Sequence, residues 1–185
     1  IKEFHKKYPK ISIRVFTDKT SDLIKKAKNG LIDVIFTNLP INLPADFTSL
    51  NIKELHDCFV ANNNYNDLKN KEIKINDLEA LPLIVLTKGA TSRISLDDYC
   101  IENNISIKPE MEFGSNTLIK EFTEAGFGIG MLTEEFIKKD LQNGNLFKLD
   151  IEVPLKNKYL GMIWNLDNRS LVAENFIRYI KNSID

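Results

Sequence analysis

Apolar and polar residues alternate along the first part of the chain in a way that predicts a strand, a helix and a second strand. Residues 11–16 (ISIRVF) alternate and are rich in β-branched side chains, which predicts a strand. A helix follows over residues 20–30, with Thr20 or Ser21 as its cap and a glycine at its end. Residues 33–36 (DVIF) form the short apolar run of a buried strand. This order predicts a βαβ unit with two parallel strands.

The rest of the chain continues as an alternation of strands and helices. Residues 47–62 predict an extended segment that runs into the polar sequence ANNNYND, a candidate domain boundary. The alternation predicts an α/β fold with mostly parallel sheets. The further predicted strands are at 83–86, 107–113, 129–132, 146–151 and 159–164. The further predicted helices are at 95–104, with a capping box of Ser95 and Asp98 at its start, at 115–125, at 133–143 and from Ser170 onward. The last helix is predicted to bury Leu171, Val172, Phe176, Ile177 and Ile180.

Composition and charge narrow the class of protein. The 185 residues are 43% hydrophobic and 28% charged, which is typical of a globular domain or of two small lobes. The 25 Lys and Arg residues are balanced by 26 Asp and Glu, so these residues form a poor surface for nucleic acid. We expect no membrane span, because no apolar run approaches ~20 residues. Two cysteines are too few for a disulfide framework, which favours a reducing, cytoplasmic setting.

Residues that could perform acid–base or nucleophilic chemistry are few. Histidine occurs only as His5 and His56. His56 and Cys58 lie two apart on a predicted strand, so their side chains point to the same side. They form either a Cys–His nucleophile pair or an edge histidine beside a core thiol, and we favour the second because no third orienting group is visible. A Cys58–Cys100 redox switch is a further alternative. No spacing is typical of zinc ligands, so we predict no metal.

The glycine motif at residues 126–130 (GFGIG) looks like a nucleotide-binding fingerprint but has the opposite context. In the dinucleotide fold the glycines leave a strand and open a helix, whereas these glycines close a helix and enter a strand. They therefore predict a helix stop and a tight packing turn. Since no phosphate-binding or serine-nucleophile motif is present either, the residues predict no cofactor, no catalytic group and no enzyme.

Polar side chains follow four of the predicted strands. In an open parallel sheet, ligands bind beyond the carboxyl ends of the strands, near helix N-termini that favour anions. Each hydroxyl group alone fits a helix cap, but together, with two cations, they predict a cleft for a small anion. The residues are Thr17, Asp18, Thr20 and Ser21; Thr37 and Asn38; Thr87, Lys88, Gly89, Thr91, Ser92 and Arg93; and Gly114, Ser115, Asn116 and Thr117.

The order and spacing of seven short phrases, spread over residues 4–180, resemble the effector-binding domain of LysR-type transcriptional regulators. The phrases are FHKKYP at 4–9, GLID at 30–33 before VIF, residues 50–55 before the crossing strand, Asp77-Leu78 before LPLI at 81–84, EAGFGIG at 124–130 before Met-Leu, Gly144-Asn-Leu146, and the closing helix with Phe176-Ile177.

This resemblance implies a type 2 periplasmic-binding-protein-like fold, with two Rossmann-like lobes joined by two crossing hinge strands near 59–61 and 162–164. Lobe I would comprise residues 1–60 and 166–185, and lobe II residues 61–165. The first strand of lobe I and the N-terminal winged helix-turn-helix domain of the family would be missing from this chain. Ligand contacts carried over by position are Thr20, Thr37 and Asn38 in lobe I, and Thr91, Ser92, Arg93, Ser115 and Asn116 in lobe II, with Arg93 pairing with a carboxylate.

The implied function is the sensing of a small, anionic metabolite in the cleft between the lobes, with closure relayed to DNA-binding domains. The implied partners are that effector, a second copy in a homodimer or a tetramer when full length, and DNA through the missing N-terminal domain only. The alternative is a solute receptor of a transport system, which would carry an export signal upstream instead of a helix-turn-helix. An enzyme on the same fold is a third possibility, for which Asp18 is the candidate acid–base group.

Overall fold

The computed structural model describes residues 1–184, and the chain divides into two compact units. Unit 1 comprises Ile1–Lys53 and Tyr159–Asp185, and unit 2 comprises Glu54–Lys158. The first boundary falls before residue 60, because the strand that contains Phe59 hydrogen-bonds to other strands of unit 2. The second falls before residue 165, because residues 159–163 pair with residues 35–39 of unit 1. In the described part of the chain, no helix has the length and apolar character needed to cross a bilayer.

Both units contain strands and helices, as an α/β fold requires. Short 3-10 helices occur at Asn63–Leu68, Ile75–Ala80 and Glu134–Phe136. The α-helices are α1 (Lys2–Lys7), α2 (Thr20–Lys28), α3 (Thr91–Glu102), α4 (Asn116–Glu124), α5 (Lys138–Gln142) and α6 (Leu171–Lys181), and the strands are β1 (Ile35–Leu39), β2 (Phe47–Leu55), β3 (Asp57–Ala61), β4 (Glu72–Ile73), β5 (Leu83–Leu86), β6 (Met111–Phe113), β7 (Ile129–Thr133), β8 (Phe147–Lys148), β9 (Asp150–Ile151) and β10 (Lys158–Asn165).

Unit 1 is a three-stranded sheet with helices packed on its two faces. The strand order is β1-β10-β2, and β1 runs antiparallel to β10. On one face, Ala27 of α2 packs with Ile163 of β10. Neighbouring β10 residues point to the other face, where Met162 and Trp164 pack with Ile177 of α6. The sheet is therefore covered on both sides by amphipathic helices.

The βαβ unit predicted at the start of the chain is wrong. Residues 11–16 form no strand, and residues 12–18 are exposed. They line a groove of about 590 Å³ whose other residues include Ile35 and Phe36 of β1. An alternating pattern gives a segment two faces, but a strand forms only where a neighbour pairs its N–H and C=O groups. Among the described residues, β1 pairs with β10 alone, and the two strands are antiparallel.

Unit 2 is built on a mixed five-stranded sheet with the order β6-β5-β7-β3-β8. β5 is parallel to β6 and β7, whereas β3 is antiparallel to β7 and β8. A separate pair, β4 and β9, is parallel. The prediction of mostly parallel sheets therefore holds for β5, β6 and β7 and for the β4–β9 pair, but not for β3 and β8. Because β3 runs the opposite way, it begins at the edge where β5, β6 and β7 end.

Alternate residues of the central strands of unit 2 build two cores, one on each face of the sheet. Phe59 and Val85 pack with Leu96 of α3 on one face. Val60 and Ile84 pack with residues of α4 on the other. The two helices that follow β5 and β6 are thus fixed on opposite sides, with their N-termini near the same edge.

Two helix starts were predicted from serine caps that the structure contains. Ser115 accepts a hydrogen bond from Thr117 N, and Ser170 accepts one from Ala173 N, at the predicted starts of α4 and α6. α3 instead begins at Thr91, so the predicted capping box at Ser95 lies inside the helix, where the hydroxyl donates to Thr91 O. The predicted cap of α2 is also wrong, because Lys19 is its N-cap residue. Leu171, predicted as buried, is 79% exposed.

The glycine motif is a helix stop and a packing turn, as predicted. Gly126 has φ of +84°, a left-handed conformation that ends the α4 segment. A Cβ atom on Gly130 would collide with the Thr123 side chain of α4. The motif therefore allows α4 to pack closely against β7, and it presents no helix N-terminus to a nucleotide.

Candidate functional site

In unit 1, the structure brings two predicted site residues into contact. The hydroxyl oxygens of Thr20, at the start of α2, and Thr37, on β1, lie 2.8 Å apart. Both side chains are half-buried, and Asn38 follows Thr37 on the strand. This hydrogen bond uses the hydroxyl group that was predicted to cap α2. Two hydroxyl groups thus lie together beside the first turn of a helix.

The carboxylate of Asp18, the candidate acid–base group, forms an ion pair with Lys26. Its carboxylate accepts hydrogen bonds from Lys26 Nζ at 2.8 Å and from Lys19 N at 2.9 Å. The hydrogen bond from Lys26, followed by that from the Lys19 backbone, lowers the pKa of Asp18 below its usual value. An ionised carboxylate held by a lysine is a poor general acid, so the structure provides no support for catalysis at this residue.

In unit 2, the loops that follow β5 and β6 meet at one edge of the sheet. Thr87 N donates to Phe113 O at 3.0 Å, which joins the end of β5 to the end of β6. The first loop leads into α3 through Thr91 and Ser92, and the second leads into α4 through Ser115 and Asn116. The predicted site residues of this unit therefore occupy the first turns or the caps of two helices whose strands end side by side.

Arg93 is held inside unit 2 by protein groups. Its side chain is 5% exposed, and it donates to Asp97 and Glu112 at 2.8 Å and to Leu86 O at 3.0 Å. Burial opposes its charge, but the hydrogen bonds that it donates to Asp97 and Glu112 outweigh burial and raise the pKa of Arg93. It also lines a pocket of about 200 Å³ with Cys100. Pairing with a ligand carboxylate would require the guanidinium group to leave these partners.

A buried ion pair lies at the same edge of unit 2, and sequence analysis missed it. Lys158 Nζ lies 2.6 Å from both carboxylate oxygens of Asp57 and 2.8 Å from Ser92 Oγ. The Lys158 and Asp57 side chains are 6% and 4% exposed. Thr133 Oγ1 also donates to Asp57, at 2.7 Å. No local pattern marks this cluster, because residues 57, 92, 133 and 158 meet only through the sheet topology.

The neighbouring His56 is an edge histidine. Its Nδ1 atom lies 2.8 Å from Glu135 Oε1, and its backbone N–H donates to Glu135 Oε2. The hydrogen bond to Glu135 raises the pKa of His56. Burial alone would raise the pKa of Glu135, but the hydrogen bonds from the ring and backbone of His56 outweigh it and lower that pKa. The pair ties the start of β3 to the segment after β7.

This pair predicts a pH-dependent contribution to stability. Because folding raises the pKa of His56, its ion pair with Glu135 contributes fully to stability below the unfolded pKa of 6.5. That contribution is lost as the pH rises through the pKa of the folded state. We expect the stability difference between the wild type and His56→Gln to shrink from pH about 5.5 to about 9. Urea midpoints at both pH values measure it. Equal differences at the two values would contradict the assignment, and Glu135→Gln should mimic His56→Gln.

The cysteines do not form a nucleophile or a redox pair in this structure. Burial raises the pKa of Cys58 to about 12, and its thiol donates to Leu132 O. Cys58 belongs to one core of unit 2, whereas Cys100 packs against the core on the opposite face of the sheet. Within residues 1–184, no three His, Cys, Asp or Glu side chains lie close enough together to hold a metal ion.

Comparison with known proteins decides the family. The model of the LysR substrate binding domain matches residues 1–185. The chain belongs to this family. Among its relatives, the HTH-type transcriptional activator CmpR of Synechocystis sp. PCC 6803 is 28% identical over 182 residues, which are 96% of this chain and 59% of CmpR. YybE of Bacillus subtilis, an uncharacterised HTH-type transcriptional regulator, is 27% identical over 97% of this chain and 61% of its own length. This LysR domain therefore spans about three fifths of these relatives.

Solved structures confirm the fold of this LysR domain. The CcmR regulatory domain from Synechocystis PCC6803, solved with 2-PG, has a TM-score of 0.86 at 19% identity and covers all of this chain and 88% of its own. The effector binding domain of QuiR, solved with shikimate, has a TM-score of 0.83 at 19% identity, over 99% of this chain and 87% of its own. The predicted type 2 periplasmic-binding-protein-like fold is confirmed. The matching relatives are transcription regulators rather than an enzyme family.

Proposed function

We propose that this LysR domain binds a small metabolite that carries negatively charged oxygens, and that it does so without catalysis. The effector would contact Thr20, Thr37 and Asn38 of unit 1, and Thr91, Ser92, Ser115 and Asn116 of unit 2. The observation that carries the proposal is the meeting of hydroxyl groups with helix N-termini, where N–H groups and the helix dipole favour anions. Arg93 is not included, because its guanidinium group binds Asp97 and Glu112.

The chemistry of α3 supports an oxyanion as the ligand. The residue before this helix is Ala90, which has no side-chain oxygen to cap the first turn. α3 begins at Thr91, and the N-terminal turn of a helix carries backbone N–H groups and a dipole that favour an anion. In related proteins, CcmR was solved with 2-PG and QuiR with shikimate, which is a carboxylate in neutral solution. We propose an effector of similar size and charge.

The family supports a proposal about the whole protein. We propose that this chain forms the sensing part of a cytoplasmic transcription regulator, in which a separate N-terminal winged helix-turn-helix binds DNA. CmpR extends beyond the part that this chain matches and is named as an HTH-type activator, which supports a second, DNA-binding part. A homodimer would present two such DNA-binding domains to the two halves of a palindromic operator.

A thermal-shift screen tests the proposed binding. We expect shikimate, 2-PG or another small organic acid to raise the melting temperature, since a ligand that binds only the folded state stabilises it. Ser115→Ala should remove most of that rise. Ser170→Ala is the matched control, because it also deletes an N-cap serine and should cost about 1 kcal/mol of stability while leaving the ligand-induced rise intact. Equal responses in the two variants would refute the site.

A further inference from the structure

A small pocket of unit 2 lies between α3 and the segment that follows this helix. Its volume is about 200 Å³, and its walls come from α3 and from residues 105–109, which precede β6. Most of the lining is apolar, and the apolar side chains are those of Leu96, Ile101, Ile105, Ile107 and Pro109. Of the described residues that line the pocket, none is among those proposed to contact the effector.

The way in which α3 ends explains how this pocket forms. Asn104 has φ of +54°, a left-handed conformation that turns the chain out of the helix. Ile105 N donates to Cys100 O at 3.0 Å, and Asn104 N donates to Ile101 O at 3.2 Å. These two hydrogen bonds form a Schellman motif, which places the residue after the turn against the last turn of the helix. Backbone hydrogen bonds therefore hold the two walls of the pocket beside each other.

The size and the thiol group of the pocket favour a small apolar ligand. Burial raises the pKa of Cys100, so its thiol group stays protonated at neutral pH and adds an uncharged surface. A dry apolar cavity of about 150 Å³ is large enough to hold benzene. A pocket of about 200 Å³ therefore accommodates one ring with a small substituent. Ile101, which is 74% exposed, marks the side on which the pocket opens to solvent.

The charged groups at one end of the pocket oppose a ligand that is itself charged. Arg93, the cation among the described lining residues, donates to Asp97 and to Glu112 at 2.8 Å. A third carboxylate, that of Glu79, accepts a hydrogen bond from the backbone N–H of Ser106 at the rim. Three carboxylates around one guanidinium group repel an anion, and an ammonium group would have to compete with Arg93 for them. An uncharged hydroxyl group avoids both costs.

We propose that this pocket binds a small, uncharged aromatic compound that carries a hydroxyl group, of which phenol is the simplest example. The ring would pack against Leu96 and Ile107, and the hydroxyl group would donate to Asp97, whose side chain is 49% exposed. The pocket is separate from the site proposed for the effector, which takes an organic acid. The two proposals are therefore independent, and the failure of one leaves the other standing.

Titration of the labelled chain with phenol, followed through the amide signals in NMR spectra, tests the proposal. We expect saturable changes centred on Cys100 and Ile105, with a Kd on the order of 1 mM for so small a ligand. At the same amides, benzoate should bind at least about tenfold more weakly, because it places a carboxylate beside those of the protein. No saturable change at these amides, or an equal response to benzoate, would overturn the proposal.

A pair of variants on α3 locates the site. Cys100→Phe places a ring in the pocket and should abolish the response to phenol. Ile94→Phe is the matched control, because Ile94 lies on the same helix at 48% exposure and outside the pocket, so its response should match that of the wild type. An unchanged response in Cys100→Phe would show that phenol binds elsewhere.

A second measurement needs no variant and covers the case in which Cys100→Phe fails to fold. Cys100 lines the pocket, whereas Cys58 is 6% exposed within a core of unit 2. Alkylation by iodoacetamide at about pH 9, followed by mass spectrometry, therefore reports on Cys100. We expect phenol at about ten times its Kd to slow this alkylation several-fold, and benzoate at the same concentration to leave the rate unchanged. Equal rates with and without phenol would contradict binding in this pocket.

Discussion

Replacing Asp57 with alanine is expected to destabilise the chain by about 3–5 kcal/mol, because it leaves the Lys158 ammonium group buried and unpaired. The Lys158 side chain is 6% exposed and has both carboxylate oxygens of Asp57 at 2.6 Å. Its remaining partner, Ser92, is a neutral hydroxyl group that cannot balance the charge. The substitution also takes the acceptor from Thr133, which is itself buried. Both losses act in the same direction.

Urea unfolding followed by circular dichroism measures this effect. Asp22→Ala is the matched control, because it also removes an aspartate that pairs with a lysine, here Lys25 at 3.0 Å on the surface of α2. Exposed pairs contribute little, so the control should change stability by less than about 0.5 kcal/mol. If Asp57→Ala cost no more than Asp22→Ala, the ion pair would not be buried in solution as it is in this structure.

Ile119→Ala is expected to cost about 2–5 kcal/mol, since it deletes a side chain that is fully buried and leaves a cavity. Ile119 lies on α4 and packs with Val60 and Ile84 of the sheet. It also approaches Gly130, where the absence of a side chain brings the helix close to β7. The cavity would therefore open beneath the helix that presents Ser115.

The preceding residue of α4 provides the control for this prediction. Leu118 is 39% exposed, so Leu118→Ala removes a similar number of apolar atoms from a site that is partly in water. We expect it to cost well under half as much as Ile119→Ala in the same urea experiment. Similar losses for both variants would show that α4 is packed in a different orientation.

The sequence predicted the elements whose signals are local. α4 has a serine cap at its start and a glycine with positive φ after its end, so both limits are encoded within a few residues. β5, an uninterrupted apolar run, lies inside the sheet between β6 and β7 and matches its predicted bounds. These features depend on neighbours in the chain, which sequence patterns describe directly.

Elements that depend on distant partners were predicted less well. Residues 11–16 have the alternation of a strand, yet they form none, because β1 is paired with β10 instead. The capping box at Ser95 has suitable residues, but the chain already turns into α3 at Thr91, four residues earlier. A local sequence pattern indicates which secondary structure a segment can adopt. Which of these it adopts depends on the segments that pair or pack with it.

The same distinction applies to the candidate site. Thr20 and Thr37 of unit 1 lie together, and their contact could be predicted from the order of elements, as could the shared sheet edge of Ser92 and Ser115 in unit 2. Asp57 and Lys158 are 101 residues apart. Both are the first residues of strands, whereas the predicted site was chosen from residues that follow strands. The two carboxylates that bind Arg93, those of Asp97 and Glu112, could not be identified as its partners without the fold.

NMR spectroscopy of the labelled chain, titrated with a compound that raises its melting temperature, tests the central claim most directly. The proposal predicts that amide signals change together at Thr20, Thr37 and Asn38 of unit 1 and at Ser92, Ser115 and Asn116 of unit 2. Changes confined to one unit, or centred on the small pocket at Leu96 and Cys100, would contradict it.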